Sequence, residues 1–444
     1  MAGAPLFNVL LLLVCVIVVV AVTHSRRLHP FFALMVVASA FGAFAGLSVG
    51  FLGKAFGDGF SRAIYSPGLV IVTAAFVAGV AESTAASDWL AAKIDLRRWC
   101  GSTKLAAIVG LVAGVGASPA SAFALLTPLL RAVAPNSGAA PIALALAISA
   151  SHGLLLISPV AVAAASILNA HWTSVALFGL PLAALLAAFA AAWARWLPAA
   201  AARGSPPPMP QRLPMPQKRG GWAALVLVVA TVIPLLMLMI QSIGDIRSEP
   251  LGGGSAREMV LGLGRPLILF LVALGIMVLG LWRPSAKLFA DSSRTTRIFA
   301  EAAGIVLLVG AAGGLQRLCQ ETGMAELLGE RLLGWRGGVL VAFLIAALIK
   351  TLQGSSLVAA ITTAGMVQPL LSGLGLNGDN GPALATLAIG AGAMTVSHVN
   401  DEYFWLVANS ASLSPLRGLT RFSVATLLQG VVAVAVLFVL SVLI

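Results

Sequence analysis

The chain has 444 residues, of which 59% are hydrophobic and only 9% are charged, and its mean hydropathy is +1.01. This composition excludes an ordinary water-soluble domain and predicts an all-α polytopic membrane protein. The net charge of +12 does not indicate a nucleic-acid-binding protein, because the 27 basic residues stand singly or in pairs at the ends of apolar runs. The three cysteines, Cys15, Cys100 and Cys319, lack the spacing of a disulfide framework or a metal site, so we expect neither.

Five apolar runs in the first half predict membrane spans. They are Pro5–Val22, Pro30–Phe51, Pro67–Ala81, Pro141–Asn169 and Trp172–Trp196. No basic residue precedes the first run, which favours an uncleaved helix with its N-terminus outside over a signal peptide. A loop around Lys54, Asp58 and Arg62 is expected between the second run and the third.

Two segments of the first half interrupt the apolar pattern. Leu105–Arg131 contains Gly114–Ser121, a stretch too rich in Gly, Pro and Ser for a helix interior. We therefore expect a re-entrant hairpin that turns at Ser118, because such backbone is tolerated at membrane depth only inside protein or beside a cavity. The fourth apolar run is also expected to break, near Ser151 and again near Ser158.

A proline-rich stretch divides the chain. Gly204–Pro216 has six prolines in thirteen residues and no apolar periodicity. It predicts an extended cytoplasmic linker over 198–220, between an N-terminal repeat at 1–197 and a C-terminal repeat at 221–444. Spans in the second half are expected at Trp222–Gln241, Leu261–Trp282, Ile298–Leu315, Pro382–Leu413 and Thr420–Ile444. A second hairpin is expected over 338–372, with a polar tip at Lys350–Ser356.

Polar motifs recur in the two halves in the same order. Glu82 and Glu321, Thr127 and Gln368, and Ser151 and Ser397 correspond at offsets of 239, 241 and 246 residues. We infer an internal duplication, which gives about ten spans and two hairpins in the whole chain. Since five spans per repeat is an odd number, the second repeat must be inverted in the membrane, which gives alternating access, here expected to be of the elevator type. This topology places 18 basic residues inside, 8 outside and Lys350 within the second hairpin, in agreement with the positive-inside rule.

The most unusual stretch is Ser397–Trp405, Ser-His-Val-Asn-Asp-Glu-Tyr-Phe-Trp, inside the run Pro382–Leu413. A carboxylate at the bilayer centre costs about 2.5 to 3.5 kcal/mol, so Asp401 and Glu402 should face protein or water. We expect a break in a membrane helix, like the discontinuous helices of secondary transporters. The alternative is a short loop outside the membrane, but residues 404–413 alone are too short to cross.

These motifs are similar to the gluconate:proton symporter (GntP) family. The resemblance rests on Gln353-Gly354-Ser355-Ser356, Ile361–Ala364, Ala388–Gly392, Ser397–Asp401 with Phe404–Leu406, and Ser151-His152-Gly153 with Pro159. It covers the chain from about Gly59 to the C-terminus. It implies proton-coupled uptake of gluconate or a related sugar acid across the bacterial inner membrane, on the ion-transporter superfamily fold. The chain differs in two places, since Ser118–Phe123 lacks the family's carboxylate and Ser158–Val162 lacks a second histidine.

An anionic substrate needs hydrogen-bond donors and the positive ends of helix dipoles, which Gly-rich and Ser-rich tips provide. The candidate substrate-binding residues are Ser118, Ser121, Ser151, His152, Gln353, Gly354, Ser355, Ser356, Thr362, His398 and Asn400. For any single small residue among them, close helix packing is the alternative. Lys350 is expected to contact the substrate or a carboxylate, and the alternative is that it snorkels to the surface.

Proton coupling needs a group that exchanges a proton near neutral pH. The candidates are Asp401, Glu402, His398 and His152, although a structural hydrogen bond in a helix break is an equal alternative for each histidine. Asp401 is the expected coupling residue because it matches the family's aspartate, whereas Glu402 stands where the family pattern need not carry an acid. Glu82 and Glu321 lie at span ends, where a solvated or capping role is the default.

Secondary transport is the favoured function. An intramembrane enzyme is disfavoured, because adjacent Ser397 and His398 do not give a nucleophile and base in the required geometry, and no HExxH or nucleotide-binding loop is present. Sodium coupling stays open, because Asn400 and Asp401 are also good ligands for hard cations. The expected partners are a small organic anion, protons or sodium, and the lipid bilayer. No nucleic acid and no cofactor are expected, and a homodimer stays open.

Overall fold

The computed structural model describes residues 5–24, 28–82, 84, 86, 89–90, 101–114, 118–134, 137–156, 158–196, 220–244, 254–282, 292–324 and 338–443. Every regular element in these ranges is helical, and several helices are apolar enough to cross a membrane. The prediction of an all-α polytopic membrane protein is therefore confirmed. The proline-rich linker, except its last residue, and Cys100 fall outside the described residues.

Of the interruptions predicted in the first half, those at Ser118 and Ser158 coincide with helix starts, whereas the break expected near Ser151 is wrong, because that residue lies inside a helix that continues to Leu154. The helices of this half are α1 (Pro5–His24), α2 (Pro30–Phe44), α3 (Val49–Ala63), α4 (Leu69–Glu82), α5 (Ser102–Ala113), α6 (Pro119–Val133), α7 (Ala140–Leu154), α8 (Pro159–Leu168) and α9 (Trp172–Trp196). Proline stands in the first turn of α2, α6, α7 and α8. Proline favours helix starts, because its missing N–H removes no intrahelical hydrogen bond there.

The second half is divided in a similar way. Its helices are α10 (Gly220–Gly244), α11 (Ser255–Leu263), α12 (Pro266–Gly280), α13 (Ser292–Glu321), α14 (Val339–Gln353), α15 (Ser356–Val367), α16 (Gly381–Ala393), α17 (Glu402–Ser410) and α18 (Val424–Leu443). A helical turn, Pro415–Gly418, and a π-helical turn, Leu419–Ser423, lead into α18. The two predicted hairpin tips lie between α5 and α6 and between α14 and α15.

Fewer segments than the ten predicted spans are long and apolar enough to cross a membrane in the described ranges. Within the described ranges, six segments pass by length and composition, and a seventh is added if α11 and α12, which bend by 59°, form one broken span. Shorter apolar helices include α2, α5, α6, α14, α15 and α16. The difference arises because Gly, Pro and Ser break several of the predicted runs into half-length helices.

The loop expected around Lys54, Asp58 and Arg62 is instead the helix α3, and the predicted second span ends early, at Phe44. The three charged residues follow one another at every fourth position, so they share one face of the helix. Ala55, Gly59 and Ala63 repeat with the same period and are buried. Charges that indicated a loop therefore belong to the polar face of an amphipathic helix.

The buried face of α3 packs against α13 at very short range. A Cβ added at Gly59 would stand 2.6 Å from the Cβ of Arg317, closer than two carbon atoms can approach. Glycine at this position therefore permits the contact between the two helix backbones.

The helices that follow the two hairpins form the centre of the molecule. All residues of α7 are buried, as are all residues of α16 except Pro382. The two helices cross at Gly153 and Gly390, where a Cβ at Gly153 would stand 2.6 Å from the carbonyl oxygen of Gly390. Both helices end at this depth, so the breaks that follow them lie inside the protein.

Helices from the two halves pack in a matched pattern around this crossing. In the first half α5 lies against α7, and α9 covers both; in the second half α14 lies against α16, and α18 covers both. The second arms of the hairpins are exchanged, since α6 contacts α17 and α15 contacts α8. Gln429 of α18 also donates hydrogen bonds to Leu146 O of α7 at 3.0 Å and to Leu186 O of α9 at 3.3 Å.

Candidate substrate site

The helices that follow the two breaks begin with polar caps. The first break follows Leu154 and ends at Ser158, whose hydroxyl accepts a hydrogen bond from Val160 N at 3.3 Å. The second break, residues 394–401, ends at Asp401, whose Oδ1 accepts one from Tyr403 N at 2.9 Å. Capping satisfies backbone donors that the membrane interior would otherwise leave unpaired.

The hairpin tips carry serine caps as well. Ser118 Oγ accepts a hydrogen bond from Ser121 N at 3.5 Å, and Ser355 Oγ accepts one from Val358 N at 3.3 Å. Gly354 ends α14 in the left-handed region, at φ +74°, and a Cβ there would stand 2.5 Å from Asn400 O. Glycine at this position therefore lets the second tip lie directly against the second break.

Both hairpin tips, the second break and the last two turns of α7 border one cavity of about 140 Å³. The predicted site residues that line it are Ser118, His152, Lys350, Gly354, Ser355, Ser356, Asp401 and Glu402. The structure thus brings together eight residues that are spread over 285 positions of the sequence. It also places the N-termini of α6 and α15 at the same cavity, where helix dipoles favour negative charge.

Lys350 and Asp401 form a buried ion pair beside the cavity. Lys350 Nζ lies 2.6 Å from Asp401 Oδ2 and donates a second hydrogen bond to Gly354 O at 2.7 Å. Ser397 Oγ also donates to Asp401 Oδ2, at 2.6 Å. Lys350 is 3% exposed, so it does not snorkel to the surface, and of the sequence alternatives the structure shows a carboxylate contact.

His398 and Asn400 face away from the cavity, toward α14. His398 Nε2 donates to Thr351 O at 2.7 Å, because a carbonyl oxygen only accepts, and Asn400 Nδ2 donates to the same oxygen at 3.0 Å. Trp405 Nε1 donates to Val399 O at 2.9 Å. These bonds use the unwound backbone of the second break and hold it against the end of α14.

Four further predicted residues lie outside the cavity lining: Ser121, Ser151, Gln353 and Thr362. Ser151 Oγ donates to Gly110 O at 3.2 Å and to Ile148 O at 3.1 Å, so it joins α7 to α5. Ser121 is buried one turn inside α6, and Gln353 is buried at the end of α14. Glu321, at the end of α13, forms an ion pair with Arg317 away from the cavity.

Several residues that line the cavity were not predicted from the sequence. They are Pro119, Ala120, Ser149, Gln316, Leu357, Met394, Ser397 and Tyr403. Ser149 precedes His152 by one helical turn, and Ser397 and Tyr403 belong to the motif around Asp401, so their spacing was a usable signal. Gln316 lies on α13, and nothing in its own surroundings indicates which face of that helix turns inward.

The two carboxylates at the cavity, Asp401 and Glu402, have different surroundings. Asp401 accepts hydrogen bonds from Lys350, Ser397 and the backbone of Tyr403. Glu402 is half-buried and lines the cavity, and in the described part of the chain its carboxylate has no hydrogen-bond or ion-pair partner. No cluster of three or more His, Cys, Asp or Glu side chains in the described ranges has the arrangement of a metal site.

Comparison with known proteins identifies the family. The sequence pattern that defines the GntP family permeases matches residues 7–443 of this chain. A gluconate permease of Pseudomonas aeruginosa is 26% identical over 97% of this chain and 96% of its own. The D-serine transporter DsdX of Escherichia coli K12 is 24% identical over 97% of both chains. The solved YdaH transporter of Alcanivorax borkumensis is 17% identical, covers 93% of this chain and 96% of its own, and has a TM-score of 0.37.

The family match spans nearly the whole chain, and the related proteins are permeases and transporters. The chain therefore belongs to the GntP permease family, and it is a multi-pass membrane transporter rather than an enzyme.

Proposed function

We propose that this transporter imports gluconate or a related sugar acid across the bacterial inner membrane together with protons. The observation that carries the proposal is that two serine-capped helix N-termini, at Ser118 and Ser355, converge on one cavity. Lys350 also lines this cavity. The gluconate permease of Pseudomonas aeruginosa, which aligns along the whole chain, supports the choice of substrate.

The donors at the cavity suit a carboxylate. Ser356 and Leu357 are the first residues of α15, and helix N-termini present backbone N–H donors that have no acceptor within the helix. A lysine ammonium has three donors, and Lys350 uses two of them, on Asp401 and Gly354. The third remains for a substrate carboxylate. Ser149, Gln316 and the hydroxyl of Ser356 are suitable partners for the hydroxyl groups of a sugar acid.

We also propose ten spans in two inverted repeats, with the N-terminus outside, and the packing pattern supports the presence of two repeats. The contact of α5 with α7 is matched by α14 with α16, that of α9 with both by α18, and that of α6 with α17 by α15 with α8. Two repeats of opposite orientation around a central site are the usual basis of alternating access. We propose an elevator-type movement of the hairpins and breaks relative to the remaining spans; a homodimer stays a prediction.

Sodium coupling is a second candidate, supported by one observation. Asn400 Oδ1 is buried in the second break and has no hydrogen-bond partner among the described residues. An amide oxygen beside unwound carbonyl groups is a suitable ligand for a hard cation. Asp401, by contrast, is already bound to Lys350 and Ser397.

Uptake of labelled gluconate into proteoliposomes under separate gradients tests the proposal. We expect accumulation under an inward proton gradient and none under a sodium gradient alone. Accumulation that follows sodium would establish the second candidate instead. Unlabelled D-serine serves as the competitor, and stronger inhibition by D-serine than by unlabelled gluconate would contradict the sugar-acid assignment.

A further inference from the structure

Glu402 is the carboxylate at the cavity that forms no ion pair with any described residue. It is the first residue of α17, is half-buried and faces the same cavity as both hairpin tips. In the described part of the chain it makes neither a hydrogen bond nor an ion pair. Asp401, its neighbour, is enclosed by Lys350, Ser397 and a backbone N–H.

We propose that Glu402, rather than Asp401, takes up and releases the coupled proton. The inference rests on the proposed function, in which protons drive sugar-acid uptake. A group that changes charge in every cycle must be reached by water from the cavity, and its neutral form must not disturb the fold. Glu402 meets both conditions, whereas neutral Asp401 would leave Lys350 buried without its counterion and would weaken the cap of α17.

The proton transfer takes place between water and the carboxylate of Glu402. A proton from water on the outer side bonds to one carboxylate oxygen of Glu402 and gives the neutral acid. When the site opens inward, that O–H bond breaks and the proton returns to water. No electrons are exchanged, and each cycle moves one proton in the same direction as the substrate.

Coupling follows from the small size of the cavity. In about 140 Å³ a substrate carboxylate bound at the tip of α15 lies close to Glu402. Two negative charges repel strongly in such a confined and poorly solvated site. The ionised form of Glu402 therefore excludes the anion, and the protonated form admits it, so that substrate and proton enter together.

None of the other charged groups described around Glu402 forms an ion pair with it. Lys350, Asp401, His152 and Tyr403 line the cavity, and Lys350 is paired with Asp401. On α13, which packs against α17, Arg317 is paired with Glu321. Three further arginines lie toward the other end of α17: Arg131 of α6, which borders a separate cavity beside Ser410, and Arg417 and Arg421 in the turns after α17. His152 is therefore the competing candidate for the coupled proton.

The test uses labelled gluconate in proteoliposomes with an inward gradient of one pH unit. One proton per substrate gives about tenfold accumulation by the wild-type protein. We expect Glu402→Gln to abolish accumulation, to keep exchange of labelled for unlabelled gluconate, and to make that exchange insensitive to pH. Glu258→Gln, on the exposed α11, is the matched control and should accumulate as the wild type does.

Each of the following results would overturn the assignment of the coupled proton to Glu402. Wild-type accumulation by Glu402→Gln, or pH-insensitive exchange in His152→Gln and not in Glu402→Gln, overturns the inference alone. Absence of proton-driven accumulation by the wild-type protein overturns the proposed function and the inference with it. If Glu402→Gln does not insert, Glu402→Asp keeps an exchangeable proton, and its failure to accumulate while it exchanges gluconate overturns the inference.

Discussion

The two halves of the molecule build similar hairpins and breaks from different chemistry. In the first half Ser158 caps the helix after the break, and Ser151 donates to a backbone carbonyl. In the second half Asp401 is the cap, and Ser397, the counterpart of Ser151, donates to its carboxylate. Of these two caps, only the one in the second half carries a charge. A helix break can be stabilised by hydroxyl groups alone, so the charges of the second half are best explained by transport.

The largest effect is expected from removing one charge of the Lys350–Asp401 ion pair. Lys350→Met leaves Asp401 buried without a counterion, which should cost about 3 to 5 kcal/mol of stability and abolish uptake. Thermal unfolding in detergent, together with uptake of labelled gluconate, measures both effects.

A double variant sharpens the comparison. Lys350→Met combined with Asp401→Asn makes the second half as uncharged as the first. We expect it to recover most of the stability without recovering uptake. A single Lys350→Met protein as stable as the wild type would show that the pair does not hold the second break.

The next largest effect concerns the second hairpin tip. Ser356 lies at the start of α15 but is not its cap, so Ser356→Leu should fill the cavity and abolish uptake while the protein still folds and inserts. Ser441→Leu, near the end of α18, is a control with the same change of side chain. Uptake is measured per inserted molecule. Wild-type transport by Ser356→Leu would remove this tip from the site.

A smaller effect is expected where the halves touch. Gly390→Ala places a methyl group against the carbonyl oxygen of Gly153 and should lower stability by about 1 to 3 kcal/mol. Gly275→Ala on α12, where a Cβ meets nothing within 4 Å, should be neutral or slightly stabilising. The two melting temperatures in detergent provide the comparison, and equal values would mean that α7 and α16 separate freely at this point.

The smallest effect is expected from changes in the proline-rich linker, which lies between the two halves in the sequence. A proline-rich linker should only tether the repeats, so deletion of Pro206–Pro210 should leave gluconate uptake largely unchanged. Loss of uptake by a correctly inserted deletion variant would give the linker a part in transport.

The tips and breaks could be predicted because their residues act locally. Ser118 with Pro119 is a helix start in any context, and Gly354 followed by Ser355 is a helix end followed by a new cap. Such signals depend on the backbone within a few residues. They agree with the helix starts at Pro119, Pro159 and Ser356 and with the break before α17, whereas Ser151, where a break was also expected, lies inside α7.

The ion pair and the full cavity could not be predicted in the same way. Lys350 and Asp401 are 51 residues apart, and their contact depends on how α14 is rotated against the second break. Gln316 reaches the cavity only because α13 packs beside α17. The helix α3 was missed because the same charges suit a loop and the polar face of a helix. These features depend on packing between distant segments.

The crossing of α7 and α16 also affects how the protein is made. Gly153 and its contact Gly390 are 237 residues apart. At 5 to 20 residues per second, a ribosome adds α16 roughly 10 to 50 s after α7. During that time α7, which is buried on every side in the finished protein, has no α16 to pack against. The first half must therefore wait in the membrane with Ser151 and His152 incompletely covered, and biogenesis depends on whatever shields these two polar side chains until the second half arrives.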